Sequence, residues 1–348
     1  MNTIPDSAAA RRRSKAGSYR RQALSALLVT GVLVSLLMRK TSVAEIVVQI
    51  SQMDGRFYLL GGLVYLLANL VKAMRFRQTT ESGSRKIRFW EYFEVTAIYN
   101  MATGLLPFGT GEISYPYLMK RGHDVRVTQS ASTLLVTRLA DLISISLLFF
   151  VAILLLSDDL IVSGDVMLMI GGVLLIASLC LAFAPWVGDR LLDILEQWST
   201  RLLGTARSGL AARVFQAGRH FVVRMRAIVI RPRELAGLFF YSFTIWLLCY
   251  WFFQLILYGL GYPFTFWMAA FSGSLVLLTN LLPVPAIAGL GVRQIGWLLA
   301  LVAMGFDTEE AVTLGFSVHL ISLSYMILLG LSGLGSLFVR QMILNGKA

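Results

Sequence analysis

Long apolar runs, each near the length of a bilayer crossing, alternate along the chain with short polar segments rich in Lys and Arg. A membrane β-barrel would show short segments of alternating character. These runs are continuous, which predicts helices, and about 20 apolar residues are needed to cross a bilayer. Six runs predict clear transmembrane helices: Gln22 to Met38, Phe57 to Met74, Thr128 to Leu156, Val166 to Val187, Leu235 to Gly259, and Glu310 to Val339. The expected fold class is an all-α polytopic membrane protein.

The basic clusters orient the spans, because Lys and Arg favour cytoplasmic loops. Arg11, Arg12, Arg13, Lys15, Arg20 and Arg21 precede the first run and place the N-terminus in the cytoplasm. A basic start before one apolar run also suits a cleaved signal peptide, with Ser42-Val43-Ala44 as a weak cleavage site; the polytopic remainder favours an uncleaved span. Arg75, Arg77, Arg85, Lys86 and Arg88 read as cytoplasmic, and so do Lys120, Arg121 and Arg126. The segment from Ser157 to Asp165 has no Lys or Arg and reads as external, as do Asp307, Glu309 and Glu310. Gly188 to Arg233 carries nine arginines among leucines and valines, which predicts amphipathic cytoplasmic surface helices. The expected organisation is a basic cytoplasmic tail (1–21), a first membrane half (22–187), the Arg-rich segment (188–233), a second membrane half (234–340) and a cytoplasmic tail (341–348).

Two segments do not fit as simple spans. Trp90 to Leu118 has basic loops on both sides and is interrupted by Leu105-Leu106-Pro107-Phe108-Gly109-Thr110-Gly111-Glu112. It is too short for two crossings at 1.5 Å per residue, so a re-entrant hairpin (90–118) is expected. Phe264 to Phe306 has both ends external and breaks at Pro283, Pro285, Gly289 and Gly291. Its longer arms leave open whether this hairpin (264–306) is re-entrant or spans. Both breaks read Leu-Leu-Pro, then Gly-x-Gly with a charge near the second glycine, and their first prolines lie 176 residues apart. With flanking spans of opposite orientation, this is the pattern of an inverted-topology repeat, whose interrupted helices meet near the midplane and form a substrate site.

Composition narrows the chemistry. Hydrophobic residues make up 57% of the 348 and charged residues 14%, against roughly 25% charged in soluble domains. With a mean hydropathy of +0.71, this excludes a soluble enzyme, a disordered chain and a disulfide scaffold. The net charge of +12 follows the positive-inside pattern, so nucleic acid is not an expected partner; anionic lipid headgroups are. Cys180 and Cys249 lie in apolar runs and read as inert thiols. No phosphate-binding Gly-rich loop and no Cys/His cluster is present in the sequence, so neither a nucleotide cofactor nor a metal is expected.

Ionisable groups at membrane depth are expensive and mark functional candidates. Glu112 follows the first break, and Arg293 follows the second as the only charge between Leu235 and Phe306. Glu112 could instead cap the return helix at the interface, and Arg293 could snorkel or pair with Asp307. Arg138 and Asp141 lie three residues apart on one face of the third span, where they read as paired with each other, either structurally or as the lining of a headgroup path. Asn100 and Asn280 precede the two breaks, and His319 lies mid-way in the last span. Glu94 reads as interfacial. Trp246, Trp251, Phe252 and Phe253 read as packing or an aromatic belt.

The run Asn100…Leu106-Pro107…Gly111-Glu112, followed by Thr137-Arg138-Leu139-Ala140-Asp141-Leu142, resembles the lysylphosphatidylglycerol synthase transmembrane-region (flippase-like) family. That family's second signature, Pro…Gly-Gly-Leu-Gly-Val-Arg-Glu, appears here as Pro285-Ala286-Ile287-Ala288-Gly289-Leu290-Gly291-Val292-Arg293-Gln294. Ala288 stands for the first glycine, Gln294 for the acid, and Thr137 for a frequent Glu, which weakens an acid-dependent proton coupling. The resemblance covers roughly residues 20–340. It implies translocation of an anionic or glycosylated lipid between leaflets of the inner membrane, without the soluble aminoacyl transferase domain of the full synthases. Two other readings remain: a membrane scaffold for a lipid or envelope biosynthesis enzyme, and a membrane-embedded lipid transferase.

Overall fold

The computed structural model describes residues 24–80, 87–107, 109–158, 160–161, 164–182, 184–203, 215–216, 218–219, 222–223, 232–279 and 284–345. Among these residues the chain is helical and has no strand. In chain order the helices are α1 (Leu24–Leu37), α2 (Val43–Ser51), α3 (Gly55–Thr79), α4 (Phe89–Leu105), α5 (Ser114–His123), α6 (Val127–Leu156), α7 (Gly164–Ala182) and α8 (Ala184–Leu203), followed by α9 (Pro232–Gly259), α10 (Phe266–Thr279), α11 (Val292–Ala303) and α12 (Thr308–Asn345). Most are apolar all round. In lipid every backbone polar group must find its partner within the segment, which only a helix or a closed barrel provides.

By length and composition four helices can cross a membrane: α3, α6, α9 and α12. The first and fourth expected spans are represented by shorter apolar stretches, Leu24–Leu37 and Leu168–Cys180. The helix of the second expected span runs on past Met74 to Thr79, and Arg75 is 4% exposed within it, neutralised from another helix.

Both interrupted segments fold back on themselves. In the first, α4 ends at Leu105, a 3-10 turn covers Thr110–Ile113, and α5 follows. The 17 and 10 residues of its arms reach about 25 and 15 Å. In the second, α10 and α11 have 14 and 12 residues, about 21 and 18 Å. Among the described residues neither helix of the second hairpin alone has the length of a crossing. Phe264 and Phe306, at its two ends, pack in a tilted pair with ring centroids 5.6 Å apart.

Hydrogen bonds tie the helix ends together at both ends of the bundle. At one end the Asp54 N–H donates to the Gly259 carbonyl (3.0 Å) and the Ile161 N–H to the Ala303 carbonyl (2.9 Å). At the other, Gln78 donates to the Glu234 carbonyl (3.1 Å) and Arg340 to Glu91 (2.7 Å). Arg340 also meets Glu94 at 3.1 Å, so Glu94 ties α12 to α4.

Small residues set the depth of each hairpin by letting helices approach closely. Along α12, Gly333 faces Ala97, Gly330 faces Met101, and Met326 covers Gly104. The tip of α4 is therefore level with Met326, near the middle of α12. From the opposite end, Gly315 admits Trp297, and Gln294 reaches His319. The two hairpins approach each other in the interior, where the second break (Ile287–Gly289) touches α4.

Of the Arg-rich segment, α8 is described together with short pieces around Arg219, which meets Asp193 and Glu196 at 2.8 Å each. The remaining arginines Arg207, Arg213, Arg224, Arg226 and Arg231 lie outside the described residues, as do residues 1–23.

Candidate functional site

The first tip is shaped by its glycines. Gly109 sits at φ +64°, and Gly111 folds so tightly against α4 that a Cβ there would come within 2.3 Å of the Ala102 carbonyl oxygen. The turn behind Pro107 is closed by Thr110 Oγ1 donating to the Pro107 carbonyl (2.7 Å). This turn carries Glu112 back against α4 and α6. Its Oε2 accepts from the Tyr99 hydroxyl (2.5 Å) and its Oε1 pairs with Arg138, which also donates to the Tyr99 oxygen (2.7 Å). The side chains of this pair are 50% and 40% accessible.

Arg138 and Asp141 are not partners, contrary to the reading from their spacing. Arg138 turns to Glu112, and Asp141 turns to Arg75. Asp141 Oδ1 and Oδ2 both accept from Arg75, the second at 3.2 Å; Arg75 also donates to the Ser242 hydroxyl (2.8 Å), and Trp246 Nε1 donates to Asp141 (3.0 Å). A shared helix face puts residues side by side, but a neighbouring helix offers a better-directed partner. Trp246, read as packing, belongs to this polar cluster.

Asn100 donates to Asn69 Oδ1, and Asn69 donates to the Tyr65 carbonyl (2.7 Å). Asn280 and Pro283 lie outside the described residues.

The second tip is organised by Gln294. Its Oε1 accepts the Gly291 N–H (2.7 Å), capping α11, and its Nε2 lies 2.8 Å from His319 Nδ1. The amide oxygen must face the N–H, so the amide NH2 faces His319. His319 Nδ1 therefore accepts, and the ring proton sits on Nε2. His319 is 2% exposed. The Ala288 carbonyl lies beside the ring, but Nε2 makes no aligned hydrogen bond. Arg293 Nε is likewise buried without an acceptor, its side chain lying across Gly289. Arg293 makes no ion pair with Asp307, which instead accepts the Glu309 N–H (2.9 Å). Pro285 lies in the extended stretch before the turn, which Thr30 of α1 holds by accepting the Ile287 N–H (2.9 Å). Ala288 occupies φ +53°, a left-handed conformation that glycine adopts without penalty. The family signature has glycine at this place.

Lys72, Arg75, Asn69 and Tyr99 were not singled out from the sequence. The signal was present: Tyr65, Asn69, Lys72 and Arg75 recur at helical spacing on one stripe of α3. Among the described residues no group of three His, Cys, Asp or Glu is placed to hold a metal.

Four long apolar helices, two half-depth hairpins and a charged interior define a multi-pass α-helical membrane protein. The chain matches the family described as the lysylphosphatidylglycerol synthase TM region over residues 23–330 and belongs to it. The family ties it to membrane lipids. No curated protein and no solved structure matches the chain.

Proposed function

We propose that this protein moves a lipid with an anionic headgroup, a phospholipid or a lipid-linked sugar phosphate, between the leaflets of a bacterial cytoplasmic membrane, with both termini cytoplasmic. The observation that carries the reading is the second tip. Two donors, Arg293 Nε and His319 Nε2, are buried there with no aligned acceptor among the described residues, the Ala288 carbonyl lying beside the His319 ring. A buried donor left unsatisfied costs about 1–3 kcal/mol, more when charged. A phosphate oxygen is the acceptor that both groups suit. The accessible Arg138–Glu112 pair supplies polar groups at the first tip, and the meeting hairpins supply the inverted arrangement known for alternating access.

Leaflet exchange of fluorescent phosphatidylglycerol in proteoliposomes tests this. The wild type should exchange the lipid above protein-free vesicles, and Arg293→Ala should abolish exchange while leaving the fold intact, since Arg293 makes no hydrogen bond or ion pair among the described residues. Absence of exchange by the wild type with several anionic lipids, with and without an imposed proton gradient, would refute the reading and favour a scaffold for a lipid-synthesis enzyme.

A further inference from the structure

Among the described residues, one interior cluster of the first membrane half gathers three cations around two carboxylates. Around Asp141 and Glu112 lie three cations: Arg75, Arg138 and Lys72. Asp141 is occupied by Arg75 and Trp246, and Glu112 by Arg138 and Tyr99. Lys72, on α3 beside Cys249, Asp141, Arg75 and Arg138, makes no hydrogen bond and no ion pair among the described residues. Its side chain is only partly buried, so the ammonium has room for a partner. An ammonium held at membrane depth without a counter-charge is costly by several kcal/mol.

The position is ordered relative to the second tip. Lys72 lies one turn along α3 from Asn69, which bonds Asn100, and two turns from Tyr65, whose phenol lies near Arg293. Two turns are about 11 Å. The stripe thus runs from Lys72 past the Asn69–Asn100 amide pair to Tyr65 beside Arg293 of α11, and among the described residues neither cation has an ion-pair partner.

We propose that Lys72 is a second phosphate station, holding the headgroup of the translocated lipid on the first-hairpin side while Arg293 holds it on the second. A Lys ammonium is a compact point charge on a flexible stem, which lets it follow a phosphate past Asn69 and Asn100 without fixing one geometry. This assignment rests on the translocation reading, and the test separates the two.

Purified full-length chain is mixed with phosphatidylglycerol, and retained lipids are counted by native mass spectrometry; exchange is measured in proteoliposomes. The wild type should retain up to two phosphatidylglycerols, Lys72→Met and Arg293→Ala one each, and the double variant none. Exchange should fall about tenfold or more in Lys72→Met and largely return in Lys72→Arg. Lys72→Gln is the second variant should Lys72→Met fail to fold. Lys72→Met with two retained lipids and wild-type exchange, beside an inactive Arg293→Ala, would overturn the second station and leave the translocation reading standing. A wild type that neither retains nor exchanges the lipid would overturn both. Inorganic phosphate is run in parallel: retention of that ion without the lipid would assign Lys72 to a free anion and overturn its place on a lipid path.

Discussion

The buried Arg75–Asp141 pair gives the sharpest stability prediction. The two side chains are 4% and 8% exposed, and Asp141 accepts from both Arg75 and Trp246. Asp141→Ala removes every one of these acceptors and leaves a guanidinium without its counter-charge in the interior. Breaking a buried pair from one side costs about 3–5 kcal/mol. At about 2 °C per kcal/mol for a chain of this size, the midpoint of thermal unfolding in detergent should fall by about 6–10 °C. Replacing both partners with apolar residues of similar volume, Arg75→Met with Asp141→Leu, removes the uncompensated charge along with the pair, and such exchanges are often neutral. The double variant should therefore lie within about 1–2 kcal/mol of the wild type, well above Asp141→Ala. The cycle is measured by unfolding of the four proteins in one detergent. Additive single and double variants, or an Asp141→Ala midpoint within about 1 °C of the wild type, would refute the argument that this pair is isolated from other compensation.

Gln294→Glu keeps the acceptor for the Gly291 N–H but replaces the donor to His319 Nδ1 with a second acceptor; the expected loss is about 1–3 kcal/mol, read as a lowered unfolding midpoint, while Gln294→Asn at the same site should lose reach rather than polarity. Gly111→Ala places a Cβ within 2.3 Å of the Ala102 carbonyl oxygen, so the first tip must open; expression of monodisperse protein should drop sharply, and a normally folding Gly111→Ala would contradict the hairpin geometry. The α2 capping box supplies a pH dependence: hydrogen bonds from Ser42 and Thr41 hold the Glu45 carboxyl below its ordinary value of 4.5. A depressed carboxyl stabilises the fold fully above the unfolded value, and the effect fades as pH falls through the folded one. The wild type should therefore exceed Glu45→Gln in stability at neutral pH, with the gap closing as pH falls below 4.5; no gap at neutral pH would refute a contribution from the capping box.

Much of the architecture was legible in the order of residues. An apolar run in lipid has one local solution, the helix, because nothing else in that solvent satisfies its backbone. Pro107, Gly109 and Gly111 interrupt the first hairpin by local rules, and so do Gly289 and Gly291 in the second. Arm length followed from residue count once the break was placed. The candidates Glu112, Arg293 and His319 were visible because an ionisable group within an apolar run stands out against its surroundings.

Pairing was not legible. Arg138 and Asp141 share a helix face, but their partners come from the first hairpin and from α3, 26 and 66 residues away. Arg75 read as one of a basic cluster, and only the packing of α6 against α3 buries it with Asp141. Gln294 looked like the loss of an acid until His319 was placed opposite its amide. Helical periodicity is a local property and belongs to the sequence. The rotation and depth of one helix against another depend on which small residues let backbones approach, and tertiary packing alone decided which charges meet and which cations remain without a counter-charge.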